Sequence, residues 1–131
     1  MYKDVLIVDD ELDWIDLISE IVEYYSHNPI GFSNFYDVIN FIKKRDEAFY
    51  ACFIDMKPLR FFNKQYLKKE EKELLETPEK IYNIIKSKNW DKNFYFMSSH
   101  KSEHDEKVLE RTNAKFIEKS DLSKKLEEIL K

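Results

Sequence analysis

The stretch Val5-Leu6-Ile7-Val8-Asp9-Asp10-Glu11 decides how this chain is read. A short aliphatic run ends abruptly in three acids. The run is too short for a helix core and is bounded by charge, so it reads as a buried parallel strand. Three carboxylates at the end of one strand repel one another, and a positive partner is expected there. A divalent cation is the obvious candidate. In open α/β sheets, ligands sit outside the carboxyl ends of the strands.

Working outward, the same pattern recurs. Leu12, Ile15, Ile18, Ile21, Val22 and Tyr25 have helical spacing with one apolar face, and Asp13 and Asp16 suit the start of that helix. His27-Asn28-Pro29 stops it, and Ile30-Gly31-Phe32 is a second short strand. Ser33-Asn34 is a turn with an N-cap, and Phe35, Val38, Ile39, Phe41 and Ile42 form the next helical face. Tyr50-Ala51-Cys52-Phe53-Ile54 is a third apolar run, again ending in an acid, Asp55.

The segment from Pro58 to Glu76 reads as a loop around Leu59-Arg60-Phe61-Phe62, then a highly charged, partly exposed helix. Thr77-Pro78-Glu79 predicts a fresh helix start: a cap, a proline at the first helical position and an acid in the first turn. Ile81, Ile84 and Ile85 give that helix its apolar face. Phe94-Tyr95-Phe96-Met97 is a fourth strand ending in Ser98-Ser99. A helix around Asp105 to Arg111 follows, with Asn113 as a left-handed cap. Lys115-Phe116-Ile117-Glu118 is the fifth strand, ending in Lys119, and Leu122, Leu126, Ile129 and Leu130 mark the last helix.

Alternating strands and helices predict an α/β fold: a flavodoxin-like, doubly wound, five-stranded parallel sheet in the order 2-1-3-4-5, with helices on both faces. That order puts the acids of the first strand beside Asp55, with Ser98 and Lys119 on the same edge.

Bulk composition narrows the function. A chain of 131 residues with one cysteine, Cys52, suits one domain in a reducing, cytoplasmic setting. Only one glycine, Gly31, is present, which excludes Gly-rich phosphate loops. The net charge of -4 gives no reason to expect nucleic acid as a partner. No apolar run is long enough to span a bilayer, so no membrane insertion is expected, and with Met1 leading straight into the first strand no signal peptide is expected.

The gathering of Asp9, Asp10, Asp55, Ser98 and Lys119, each at a strand's carboxyl end, resembles the receiver domain of two-component response regulators. The resemblance covers nearly the whole chain, 1–131 as a single receiver domain, with an insertion or rebuilt loop and helix at about 59–76. It implies that Asp9, Asp10 and Asp55, with the Lys57 carbonyl, hold Mg²⁺. It implies that Asp55 accepts a phosphoryl group from a sensor histidine kinase or phosphotransfer protein. Ser98 and Lys119 would bind the phosphoryl oxygens, and Ser98 and Phe116 would form the switch that alters affinity for a downstream protein partner. Such a domain assists its own phosphorylation and dephosphorylation and is not a turnover enzyme. The chemistry of the residues agrees. A carboxylate is a weak nucleophile, so the site must work by positioning and charge neutralisation, and a hard cation takes oxygen ligands.

The chain departs from the family pattern in three places. Asp55-Met56-Lys57-Pro58 brings the proline one position early and no glycine follows. The spacing from Asp55 to Ser98 is longer than usual. Ser120 stands where a proline usually follows the lysine, and a trans Lys119–Ser120 bond is therefore expected, since a cis bond outside proline costs about 2.5–4 kcal/mol. Phe61 and Phe62 could form a lid, a docking patch or simple packing on the sheet edge. His100 and His104 have a spacing that would suit a metal on a helix, though two histidines without a third ligand are usually surface residues. Two other functions stay open: a pseudo-receiver that binds partners without phosphorylation, and an aspartate-nucleophile phosphohydrolase, whose usual Asp-x-Asp pattern is missing.

Overall fold

The computed structural model describes residues 3–56 and 69–131, with residues 69–75 as backbone alone. The expectations for Lys57, Pro58, Phe61, Phe62 and most of the segment 59–76 lie outside the described residues.

Five strands form one parallel sheet: β1 (Asp4–Val8), β2 (Asn28–Phe32), β3 (Ala51–Asp55), β4 (Phe94–Ser98) and β5 (Lys115–Glu118). Their order is β2-β1-β3-β4-β5, as the alternating pattern predicts. The helices are α1 (Leu12–Tyr24), α2 (Phe35–Lys44), α3 (Lys69–Ser87), α4 (Glu103–Thr112) and α5 (Leu122–Leu130), with a short 3₁₀ turn at Lys119–Asp121. No described helix is long and apolar enough to cross a membrane.

The strands are apolar on both sides because both faces are covered. Leu6, Val8, Cys52, Ile54, Phe94 and Phe96 point to one side, against Phe35, Val38 and Ile42 of α2, Ile81, Tyr82 and Ile85 of α3 and Val108 of α4. Val5, Ile7, Ala51, Phe53, Met97 and Ile117 point to the other, against Ile15, Ile18 and Val22 of α1 and Leu122, Leu126 and Leu130 of α5. The period-two alternation of each strand thus sorts the chain into two half-cores.

Local signals set most element ends. The Asn34 side chain accepts from the amides of Tyr36 and Asp37 and starts α2. Ser102 and Asp105 form a reciprocal capping box at the head of α4, and Asn113 closes that helix in the left-handed region at φ 57°. Gly31 has a steric role. A Cβ there would lie 2.6 Å from Ile15 Cγ2, so only glycine lets α1 settle this close to β2. Pro29 is tolerated because β2 is an edge strand.

Two expectations are corrected. Leu12 is 63% exposed instead of buried, because the inward face of α1 is set by Ile15, Ile18 and Val22. Thr77-Pro78-Glu79 does not begin a helix. α3 starts at Lys69 and runs through Pro78 without a break. The Glu- and Lys-rich lead carries strong helix propensity into the proline, whose missing amide forfeits one backbone bond. Thr77 and Pro78 are buried there, so packing offsets that loss.

Candidate functional site

Strand register assembles the site. Val8 pairs with Ile54, so Asp9 and Asp55 stand on one rung at the carboxyl edge. Asp55 pairs with Met97 and Met97 with Ile117, which puts Ser98 one rung further on and Lys119 two. Side-chain parity then divides these residues. Asp9, Asp55 and Lys119 share the parity of Ile117 and Met97 and face α1 and α5. Ser98 shares the parity of Phe116, which packs against the other half-core. The expected site therefore straddles the edge of the sheet.

On the α1 side the charges are tightly grouped. Carboxylate oxygens of Asp9, Asp10 and Asp55 lie within 4.8 Å of one another. Asp9 and Asp55 are buried and Asp10 is half-buried. Lys119, only 7% exposed, reaches back to them, its Nζ 2.8 Å from Asp9 Oδ2 and 3.2 Å from Asp55 Oδ1. Backbone bonds fix the platform: the Asp9 amide donates to the Phe32 carbonyl, the Met56 amide to Met97, and the Glu11 amide to Asp9 Oδ1. No described peptide bond is cis, so Lys119 arrives across a trans bond to Ser120 and opens the 3₁₀ turn.

Electrostatics follow from crowding. Burial, then the neighbouring charges of Asp9 and Glu11, push the Asp10 carboxyl up to about 6. Burial and the Asp9 charge raise Asp55 well above the usual carboxylate range, although Lys119 pulls the other way. Burial pulls the Lys119 ammonium down, but the charges and hydrogen bonds of Asp55 and Asp9 outweigh it, so its affinity for the proton rises. One ammonium against three carboxylates leaves a negative surplus. Closely set, oxygen-only ligands with surplus negative charge fit a hard divalent cation such as Mg²⁺.

On the other side, Ser98 is buried, and its hydroxyl donates to the His100 carbonyl at 2.8 Å. Phe116 is half-buried beneath the Lys101 ammonium, 5.0 Å from the ring centre. His104 lies in α4 while His100 lies before it, so the pair does not share a helix face. Among the described residues, the grouping able to hold a metal is Asp9, Asp10 and Asp55.

Sequence reasoning passed over Trp14. Its indole lies under Lys119, with Nζ 5.0 Å from the ring centre. The available signal was an aromatic in the first turn after the acids, one helical turn before Ile18.

No protein-family model matches the chain, and no curated protein matches its sequence. Solved structures do. A CheY-like receiver domain protein from Methanospirillum hungatei superposes with a TM-score of 0.69 at 18% identity, covering 99% of this chain and 94% of that one. The chain has the fold of a response regulator receiver domain. CheY4 of Vibrio cholerae matches this receiver fold with a TM-score of 0.68 at 13% identity, over 98% of this chain and 99% of its own. The BeF₃-activated DrrB receiver domain, whose parent regulator is from Thermotoga maritima, gives 0.66 at 16% identity, over 99% and 98%. The likeness of fold thus extends over nearly the whole chain, at sequence identities of 13–18%.

Proposed function

We propose that the protein is a phosphoryl-accepting switch of a two-component relay. Asp55 would take a phosphoryl group from a phosphohistidine on a sensor kinase or phosphotransfer protein, and the adduct would change affinity for a protein partner. The observation that carries this reading is a buried Asp55 carboxylate set among Asp9, Asp10 and Lys119 at the carboxyl edge of a receiver sheet.

The chemistry is in-line displacement. An Asp55 oxygen bonds to phosphorus while the P–N bond breaks, and the departing imidazole keeps the electron pair and gains a proton. Asp55 must be ionised to attack, and the Lys119 ammonium favours that form against the burial that opposes it. Asp10 and Asp55, with Asp9 through water, are the residues to hold Mg²⁺, which when bound neutralises charge on the phosphoryl oxygens. The Lys57 carbonyl is the proposed further ligand. Lys119 pairs with the phosphoryl group once the carboxylate is consumed. Ser98 must give up its bond to the His100 carbonyl to reach the adduct, which couples phosphorylation to the loop before α4 and to Phe116. The protein assists its own phosphorylation and hydrolysis without being a turnover enzyme, and the proposed setting is cytoplasmic.

Incubation with acetyl phosphate and Mg²⁺, followed by mass spectrometry of the intact protein, tests this. One phosphoryl adduct is expected on the wild type and none on Asp55→Asn. Failure of acetyl phosphate and of phosphohistidine donors alike would overturn the proposal and leave a phosphorylation-independent interaction module.

A further inference from the structure

We infer that Trp14 is a positioning residue for Lys119: its indole face holds the ammonium in line with Asp55 while the charges around that ammonium change. The inference rests on the phosphoryl-acceptor reading of Asp55.

Lysine is a poor candidate for fixed geometry on its own. Its ammonium is a compact charge on a flexible four-carbon stem with three donors. Here the head group has three neighbours of two kinds. Asp9 Oδ2 at 2.8 Å and Asp55 Oδ1 at 3.2 Å attract it as anions. The Trp14 ring, 5.0 Å from Nζ to centroid, attracts it through the ring quadrupole. The lysine side chain is only 6% exposed, so water does little to screen that attraction.

The difference in kind matters during transfer. When an Asp55 oxygen becomes bonded to phosphorus, the ion pair with Lys119 is no longer what it was. The Asp9 charge is likewise shared with any cation that the acids hold. The indole is neutral, so its attraction does not vary with the occupancy of the carboxylates. It also does not compete with phosphoryl oxygens for donors, because the ammonium meets it face-on.

The ring is half-buried and packs against the half-core on the α1 side. Trp14 lies one turn before the buried Ile18 and next to the buried Ile15. Ile15 seats against Gly31, where a single added methyl group would come within 2.6 Å of it. Trp14 therefore projects from a helix whose Ile15 side chain docks closely on β2. A purely structural role, in which Trp14 only caps the half-core against α1, needs apolar bulk and no ring face.

The two roles separate in an experiment on Trp14→Leu, Trp14→Phe and Trp14→Tyr. Folding is checked by circular dichroism, and phosphorylation is followed with acetyl phosphate and Mg²⁺. Leucine is expected to slow phosphorylation about tenfold or more, as modest misplacement of a catalytic group does, whereas phenylalanine and tyrosine stay within about threefold of wild type. Wild-type rates in Trp14→Leu, or equal losses in all three variants, would overturn the inference. A second readout needs no phosphorylation. In a Trp90→Phe background the remaining tryptophan emission reports Trp14, and Lys119→Met, with its folded state checked by circular dichroism, is expected to change its intensity. No change would remove the contact and the inference with it. If the wild type accepts no phosphoryl group while this emission change is present, the function reading fails and the Trp14–Lys119 contact stands.

Discussion

The two edges of the sheet both carry an ion pair, partly exposed at one and buried at the other, and they are built on opposite principles. At the amino edge, Asp4 meets Arg45 at 2.5 Å and accepts from Asn28 at 2.9 Å. Arg45 also donates to the Glu47 carbonyl and lies over the Phe49 ring. Nearby, His27 stacks on Tyr50 and donates to the Leu130 carbonyl, tying the end of α5 down. There, one acid has a full set of donors, and the Arg45 hydrogen bond, followed by that of Asn28, lowers its pKa. At the carboxyl edge, three acids share one lysine, and Asp10 and Asp55 are both raised. A satisfied charge network stabilises the fold. A network with surplus charge gives up stability and creates affinity for whatever cation or phosphoryl group relieves it.

The sharpest way to break this contrast is Lys119→Met. It removes the cation that the buried carboxylates share, and a loss of about 3–5 kcal/mol is expected at neutral pH in urea unfolding, the usual cost of an orphaned buried charge. A loss below about 1 kcal/mol would show that the acids are already neutral.

Next in size is the effect of Mg²⁺. Saturating Mg²⁺ is expected to raise stability by about 1–3 kcal/mol at pH 7.5, measured as a shift of the thermal midpoint. The pH dependence has a definite sign. Asp10 has a folded pKa of about 6, above its ordinary value of 3.8. Its contribution to stability is fully present below that ordinary value and is lost as pH rises through about 6. The metal-free protein should therefore gain stability from Asp10→Asn at pH 7.5 and not at pH 4. The Mg²⁺ shift should shrink as pH falls below about 6, where Asp10 takes up a proton. A shift of equal size at pH 5 would remove Asp10 from the ligand set.

The smallest effect is expected at the opposite edge. Arg45→Met should cost about 1 kcal/mol, because this pair is partly exposed and its packing survives in part. Phosphorylation of Asp55 should not change. A rate change above about threefold would mean that the two edges are coupled through the sheet.

Much of this was legible in the sequence because it is local. The strand ending in Asp9, the capping by Asn34, the left-handed Asn113 and the strand-helix alternation each follow from a few neighbouring residues. Where the reading failed, a distant contact had overridden a local signal. Thr77-Pro78-Glu79 has every mark of a helix start, yet the helix runs through it and both Thr77 and Pro78 are buried. Leu12 fits an apolar periodicity, yet the docking angle of α1 turns it outward. Tyr82 gave no signal beyond its helical phase, and its hydroxyl reaches the Thr112 carbonyl across to α4.

The sequence by itself determined the order of the elements and the placing of Asp9, Asp55, Ser98 and Lys119 at strand ends, since period and punctuation are written into the chain. Tertiary structure alone decided how those residues divide. Register sets Asp9, Asp55 and Lys119 on the α1 face and leaves Ser98 on the other side, bonded to the His100 backbone. It also brought Trp14 beneath Lys119, far away in sequence. The reason is physical. Periodicity records which side of its own element a residue occupies, whereas proximity and charge balance depend on how separate elements pack, and no local pattern encodes that.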